Sequence, residues 1–144
     1  MKKTFTILTT LILSLSLFSL VSCMTIKEIP EDKSAIQILQ MGQNAANANS
    51  YSSAELCYNT VIERFGDDPY ILVQAKYELG HIYAKQKKYD KAKIQFNEIL
   101  MLYETNLGKI PPKFKKLSEM GLAKIEEETA PKISKKSKKA KASN

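Results

Sequence analysis

Residues 77–103 read YELGHIYAKQKKYDKAKIQFNEILMLY, and this stretch decides the fold. Two apolar rows with steps of three and four residues run through this stretch, and the first row begins just before it. A polar break at 85–88 separates the two rows. The rows are Leu72, Ala75, Leu79 and Tyr83, then Ala92, Phe96, Ile99 and Tyr103. Residues at such steps share one face of an α-helix, so the pattern predicts two helices joined by a tight turn.

The chain resembles itself at an offset of 38 residues. That shift places Gly42 on Gly80 and Ala54 on Ala92. It also aligns Met41 with Leu79, Tyr51 with Tyr89, Tyr58 with Phe96, Asn59 with Asn97, Val61 with Ile99 and Phe65 with Tyr103. Self-similarity at a fixed period is the signature of a repeat architecture, so the sequence predicts two helix–turn–helix units.

The second unit resembles a tetratricopeptide repeat. The residues that follow the order and spacing of that family's signature are Leu79, Gly80, Tyr83, Tyr89, Ala92 and Phe96. The resemblance covers residues 34–103 and is weaker in the first unit, where Ala45 replaces the expected large aromatic residue. The offset exceeds the family period of about 34 residues, and about one extra helical turn accounts for the difference. This resemblance implies an all-α, short helical solenoid of about two repeats plus a capping helix.

The first 22 residues have the features of a secretory signal peptide. Lys2 and Lys3 form a basic start, an apolar run covers 5–21, and the segment ends as Leu-Val-Ser-Cys at Cys23. The run is short for a spanning helix of about 20 residues, so a removable leader is predicted. The ending resembles the bacterial lipobox, which implies cleavage before Cys23 and acylation of that residue. The alternative is an ordinary signal peptide in which Cys23 has no role.

Lengthened repeats on a lipid-anchored chain resemble the periplasmic repeat lipoproteins of the outer-membrane β-barrel assembly machinery and of the Tol-Pal coordinator group. That resemblance implies a location in the cell envelope, on the periplasmic face of the outer membrane or at the cell exterior. It also implies a non-catalytic role in which the repeats hold other envelope proteins.

Composition and break signals divide the chain into four predicted segments. They are a signal peptide at 1–22, a tether at 23–31, a helical domain at 32–128 and a lysine-rich tail at 129–144. Asp67-Asp68-Pro69 is a strong start signal for the third helix, and Ser52 with Glu55 has the spacing of a capping box. The fifth helix is interpreted as a cap with an inner face of Phe114, Leu117, Met120, Gly121 and Ile125.

The basic charge of the chain is concentrated in the tail. Of the formal net charge of +7, the leader contributes two lysines and the tail six, so residues 23–129 carry a net charge of −1. Six lysines and one isoleucine cannot bury enough apolar surface to fold alone, which predicts disorder. The tail is expected either to contact anionic lipid or wall polymers or to act as a solvating segment without a fixed partner. Because export is predicted, no nucleic-acid partner is expected.

The sequence has no recognisable catalytic arrangement. His81 is the single histidine, and no Gly-rich phosphate loop, HExxH pattern or metal-ligand spacing occurs. No enzymatic activity, metal or cofactor is therefore expected. Cys57 lies beside Tyr58 in a helical row and is interpreted as a small buried apolar side chain, with a redox or metal role as the alternative.

A stripe offset from the core row of the third helix is the candidate binding surface. It consists of Gln74, Tyr77, His81 and Lys85, and the matching stripe one repeat earlier is Ile36, Leu39, Gln43 and Asn47. By resemblance, these stripes line the concave groove in which tetratricopeptide repeats hold partner segments. The expected contact residues are Gln43, Asn47, Gln74, Tyr77, His81 and Lys85. The alternative is that Tyr77 and Leu39 pack between neighbouring helices.

These patterns together predict a lipid-anchored protein–protein interaction scaffold that takes part in envelope assembly. The alternative is an envelope anchor whose basic tail binds wall or lipid polyanions while the repeats act as a spacer. The lysines between 85 and 93 surround the predicted turn of the second repeat and, together with Asp90, are interpreted as a solvated face.

Overall fold

The computed structural model describes residues 25–105 and 110–130, which fold into five α-helices without a strand. The helices are α1 (Ala35–Asn47), α2 (Tyr51–Phe65), α3 (Pro69–Lys85), α4 (Tyr89–Thr105) and α5 (Lys113–Thr129). None of these described helices combines the length and apolar composition needed to cross a bilayer. The predicted leader, Cys23 and the tail beyond Ala130 lie outside the described residues, as do Asn106 and Gly108, residue types that favour the end of the fourth helix.

The helices stack in two antiparallel pairs, α1 with α2 and α3 with α4, and α5 packs on the second pair. The two pairs meet mainly where α2 packs on α3, and smaller contacts join α1 to α3 and α3 to α5, whereas the backbones of α2 and α4 do not come close to each other. The odd-numbered helices therefore line one side of the stack and the even-numbered helices line the other. This is a short helical-repeat solenoid, which confirms the predicted all-α fold class.

Both repeats make the same turn between their helices. Asn49 and Lys87 occupy equivalent positions and both have a left-handed backbone, with φ angles of 58° and 59°. In each turn the following amide donates to the carbonyl five residues back, at 2.8 Å in the first repeat and 2.9 Å in the second. This closure is a Schellman motif, which satisfies carbonyl groups left open at the helix end. The backbone thus repeats with the predicted offset.

A glycine fits against an aromatic ring at the same place in both repeats. An added Cβ at Gly42 would lie 2.5 Å from the ring of Tyr58, and one at Gly80 would lie 2.8 Å from the ring of Phe96. Gly121 of α5 meets the same Phe96 ring, at 2.7 Å from an added Cβ. Because these glycines have no side chain, the helices approach until the buried rings fill the space between them.

The starts of α1 and α3 are capped by side chains. Asp68 accepts hydrogen bonds from the backbone amides of Tyr70 at 2.8 Å and Ile71 at 3.3 Å, as the start signal predicts. At α1, the Ser34 hydroxyl accepts from the Gln37 amide at 3.4 Å, while the Gln37 side chain accepts from the Ser34 amide at 2.9 Å. This reciprocal pair is a capping box.

The capping box predicted for Ser52 and Glu55 is wrong. The helix α2 already begins at Tyr51, so Ser52 lies inside it, and the residue before the helix, Ser50, makes no side-chain capping bond. Glu55 instead accepts a hydrogen bond from the Tyr83 hydroxyl at 2.6 Å. A tertiary contact between two repeats therefore uses the carboxylate that local spacing assigned to the helix end.

The inner face of α5 differs from the predicted one at a single large residue. Phe114 and Ile125 are buried as predicted, whereas Met120 is 58% exposed, so its assignment to the inner face is wrong. Ser118, which was not predicted, is fully buried. Met120 is exposed because it lies on the face of α5 that borders an open pocket beside α3.

The segment before α1 packs along α2. Ile29 is 5% exposed, and the Arg64 guanidinium of α2 donates to the carbonyl oxygens of Ile29 at 3.1 Å and Pro30 at 3.0 Å. Arg64 also forms an ion pair with Glu31 at 2.7 Å. Residues 25–30 have no regular secondary structure, but these contacts fix Ile29 and Pro30 to the helical domain.

Candidate functional site

An open pocket of about 450 Å³ lies between α3 and α5, and Phe96 of α4 contributes to its lining. From α3, it is lined by Tyr77, His81 and Lys85, which are three of the residues predicted for the binding groove. The opposite wall consists of Leu117, Met120, Gly121, Lys124, Ile125 and Glu128. We call this pocket the α3–α5 groove. It lies on the side of the stack that the odd-numbered helices form.

Tyr77 both packs between helices and faces the groove. Its ring centroid lies 6.1 Å from that of Phe96 and 5.9 Å from that of Phe114, in tilted arrangements. The ring also stacks on His81 at 6.1 Å with an interplanar angle of 5°. The Tyr77 side chain is half-buried, so these ring contacts fix its position while one part of the ring stays accessible.

The surroundings of His81 disfavour the charged form of its imidazole. Its ring is solvent-accessible but lies in the concavity between two helices, and the partial loss of hydration lowers the pKa of His81. The positive charges of Lys85 and Lys124 lower this pKa further, while Glu78 acts in the opposite direction. A neutral imidazole has one donor and one acceptor nitrogen, so His81 can pair with either kind of polar group.

The rim of the groove is mainly basic. Lys85, Lys87 and Lys124 line it together with a single acid, Glu128. Glu128 already accepts a hydrogen bond from the Tyr89 hydroxyl at 2.8 Å and lies 4.0 Å from the Lys124 ammonium group. Within the described residues, Lys85 and Lys87 form no ion pair. The groove therefore presents positive charge to an incoming segment.

The other three predicted contact residues do not line this groove. Gln43 donates to the Glu78 carboxylate at 3.1 Å and thereby joins α1 to α3. Asn47 is exposed in the last turn of α1, and Gln74 is half-buried on α3. The structure thus brings Tyr77, His81 and Lys85 into one concavity with α5. Partner binding by any of the six residues stays a prediction.

The wall formed by α5 was missed from the sequence. Met120 was assigned to the core, and Lys124 stands 41 residues after Tyr83, where the repeat pattern would place an aromatic residue. Helical periodicity identifies the apolar face of a helix but not whether another helix covers that face. The pattern of α5 therefore could not tell a buried inner face from the wall of a groove. The missing large side chain at position 124 is the one clue that α5 would leave an opening.

No cluster suited to metal chemistry occurs in the described parts of the chain, where no three His, Cys, Asp or Glu residues converge. Cys57 is fully buried, as predicted, and desolvation raises the pKa of its thiol to about 11. The thiol is therefore protonated at neutral pH and packs as a small apolar group.

Comparison with known proteins agrees with the repeat pattern. Residues 73–106 match the tetratricopeptide repeat family. This match covers nearly all of α3 and α4, the unit that carries the signature residues. Tetratricopeptide repeats generally mediate protein–protein interactions, and repeat solenoids do so through extended concave surfaces.

One relative comes from Treponema pallidum (strain Nichols) and is described only as an uncharacterized protein. It is 28% identical over 115 residues, which cover 77% of this chain and 46% of the relative. The chain therefore spans about half the length of that relative. No solved structure matches the chain.

Proposed function

We propose that this chain is a lipid-anchored, non-catalytic scaffold of the bacterial cell envelope that binds a segment of another envelope protein in the α3–α5 groove. The observation that carries the binding role is the groove itself. Its walls place the Tyr77–His81 ring stack opposite Met120, which is 58% exposed. Solvent-exposed apolar and aromatic side chains in a concave surface are typical of partner sites.

The chemistry of the groove indicates the kind of segment it binds. Met120 and Leu117 offer flexible and branched apolar surface, and Met side chains adapt to varied partners. Lys85 and Lys87 have no ion-pair partner within the described residues, so acidic side chains on the partner gain the most from binding there. The expected partner is thus a short segment with an apolar anchor residue beside Asp or Glu.

The location belongs to the same proposal. The basic start, the apolar run and the Leu-Val-Ser-Cys ending favour export and acylation at Cys23. A lipid at that residue would hold the repeats on the periplasmic face of the outer membrane or at the cell exterior. A role in envelope assembly then follows from the resemblance to periplasmic repeat lipoproteins.

Photo-crosslinking tests the groove. A photoreactive amino acid is placed at Met120 in the full-length chain in cells, and a matched one at Ile94, an exposed residue of α4 outside the groove. We expect a discrete crosslinked partner only from position 120, and its loss when Lys85 and Lys87 are changed to Glu. Identical crosslinks from both positions would contradict binding in the groove.

Mass spectrometry and detergent partitioning test the anchor. The native protein is expected to carry an acyl mass increment on Cys23 and to enter the detergent phase, whereas a Cys23→Ser variant does neither. A native form without the increment would contradict the lipid anchor while leaving the groove to be judged by its own experiment.

A further inference from the structure

A second open pocket, of about 440 Å³, lies between the starts of α1 and α3 and the end of α2. Its apolar wall consists of Ala35 and Ile36 of α1, Phe65 of α2 and Ile71 of α3. We call it the α1–α3 pocket. Ile36 is 73% exposed, so a partner's apolar side chain that covers it removes apolar surface from water, which favours binding. The α1–α3 pocket and the α3–α5 groove share no lining residue.

The charge of the α1–α3 pocket is opposite to that of the α3–α5 groove. Asp67 and Asp68 line the pocket, and neither forms an ion pair within the described residues. The basic residue in its lining, Arg64, is already paired with Glu31 at 2.7 Å. The dipole at the start of α3 offsets about half a unit of negative charge. The pocket therefore keeps an excess of negative charge.

The two concavities lie along the same helix, α3. Asp68 caps its start and Lys85 is its last residue, so the 17 residues of the helix separate these opposite charges by about 25 Å. Successive helical residues turn by about 100°, which places the half-buried Gln74 in angle between Ile71, in the pocket, and Tyr77, in the groove. Gln74 therefore lies between the two concavities on the surface of α3. An extended chain covers this distance with about eight residues.

We propose that one extended segment of the partner occupies both concavities. Its acidic part lies in the α3–α5 groove, and an apolar residue beside Lys or Arg, about eight residues away, lies in the α1–α3 pocket. The proposal rests on the binding role of the groove in the proposed function and adds a second contact point. Because the two points are joined by a short segment, the second contact forms at high effective concentration. The reverse direction along α3 would place like charges together, so charge fixes the direction of the segment.

Photo-crosslinking from both concavities tests this proposal. In the full-length chain in cells, a photoreactive amino acid replaces Ile36 in one variant and Met120 in another, since both are exposed and each lines one concavity. Mass spectrometry identifies the protein and the residue that each position captures. We expect one protein from both positions, with the two crosslinked sites in one stretch of about ten residues. The site reached from position 36 should adjoin Lys or Arg, and the site reached from position 120 should adjoin Asp or Glu.

Charge reversal in the pocket tests the direction of the segment. Asp67→Lys should reduce the crosslink from position 36 several-fold and the crosslink from position 120 less, because only one of the two contact points is lost. Asp67→Asn, which adds no positive charge, should give a smaller loss. The matched control is Glu63→Lys, which makes the same change of charge at an exposed position near the end of α2 outside the pocket lining. It should leave both crosslinks unchanged.

The outcomes separate this proposal from the proposed function. A partner captured from position 120 alone, or different proteins captured from the two positions, would overturn the two-point segment and leave the binding role of the groove intact. A crosslink from position 36 that is insensitive to Asp67→Lys would overturn the charge-fixed direction. Capture of residues 131–144 of a second copy, which contain Ile133 among lysines, would overturn the proposal in favour of self-association. No crosslink from either position would contradict both proposals.

Discussion

The two repeats share one backbone plan but differ in the side chains that complete it. At the central aromatic position, Tyr58 of the first repeat is buried with its hydroxyl lacking a hydrogen-bond partner among the described residues, whereas Phe96 of the second has no polar atom to satisfy. At the left-handed turn position, the first repeat has Asn49, which tolerates that conformation, and the second has Lys87. The first repeat therefore has the more favourable residue at the turn, and the second repeat has the more favourable residue at the buried aromatic position.

The surface stripes of the two repeats make different contacts at equivalent positions. Gln43 of the first repeat is bonded to Glu78 of α3, while His81 of the second repeat lines the groove. Leu39 is buried, while its counterpart Tyr77 is half-buried and contacts three rings. The first repeat thus uses its stripe to join the repeats, and the second repeat, beside α5, has the accessible concavity. Which of the two stripes stays accessible at these positions therefore depends on the position of its repeat in the stack.

The largest effect is expected from removing the ring that joins three helices. Phe96→Ala should lower the free energy of unfolding by about 3–5 kcal/mol, because the ring fills the space between Gly80 and Gly121. Urea denaturation followed by circular dichroism measures this loss. The control, Ile94→Ala on the exposed face of α4, should stay within about 0.5 kcal/mol of the native chain. A comparable loss in both variants would argue against a special packing role for Phe96.

Exchanging the central aromatic residues sharpens the comparison. Tyr58→Phe should stabilise the protein by about 1 kcal/mol, because it removes a buried hydroxyl without a partner. The reverse change, Phe96→Tyr, should destabilise it by about 1–3 kcal/mol for the same reason. Chemical denaturation of both variants under identical conditions provides the test. If Tyr58→Phe is destabilising, its hydroxyl is hydrogen-bonded in solution.

The two turns should respond unequally to glycine. Lys87→Gly relieves the left-handed conformation and should stabilise the protein by about 0.5–1 kcal/mol after the entropy cost of glycine. Asn49→Gly should change stability by only a few tenths of a kcal/mol, since Asn already tolerates this region. Thermal unfolding of the two variants measures the difference. Equal shifts would mean that Lys87 is not strained relative to Asn49.

The smallest effect concerns the titration of His81, which replaces the non-titrating Gln43 of the first repeat. Its pKa should lie below the ordinary value of 6.5, and Lys85→Gln should raise it, whereas Lys113→Gln should not. Because the folded pKa is lowered, the unfolded chain binds more protons, so this contribution to stability is lost as the pH falls below about 6.5. Proton NMR of the single imidazole follows the titration directly. A pKa unaffected by Lys85→Gln would remove that charge as a cause.

The sequence predicted the helices and turns better than the contacts between helices. The steps of three and four residues, the 38-residue offset and the signals around Asp68 depend on local geometry, and these predictions agree with the structure. The assignments of Glu55 and Met120 failed because each depends on what lies across a helix interface, whereas that of Ser52 failed because α2 begins one residue earlier, at Tyr51. Periodicity predicted the residues of α3 that line the groove. It did not predict the wall that α5 forms.

By itself, the sequence determined the all-α class, the repeat offset and the turn positions, because these follow from helical periodicity and from the polar breaks between the rows. The tertiary structure decided which stripe remains open, which carboxylate joins two repeats and where the N-terminal segment is fixed. Such arrangements arise from contacts between residues far apart in the chain, which no local pattern encodes.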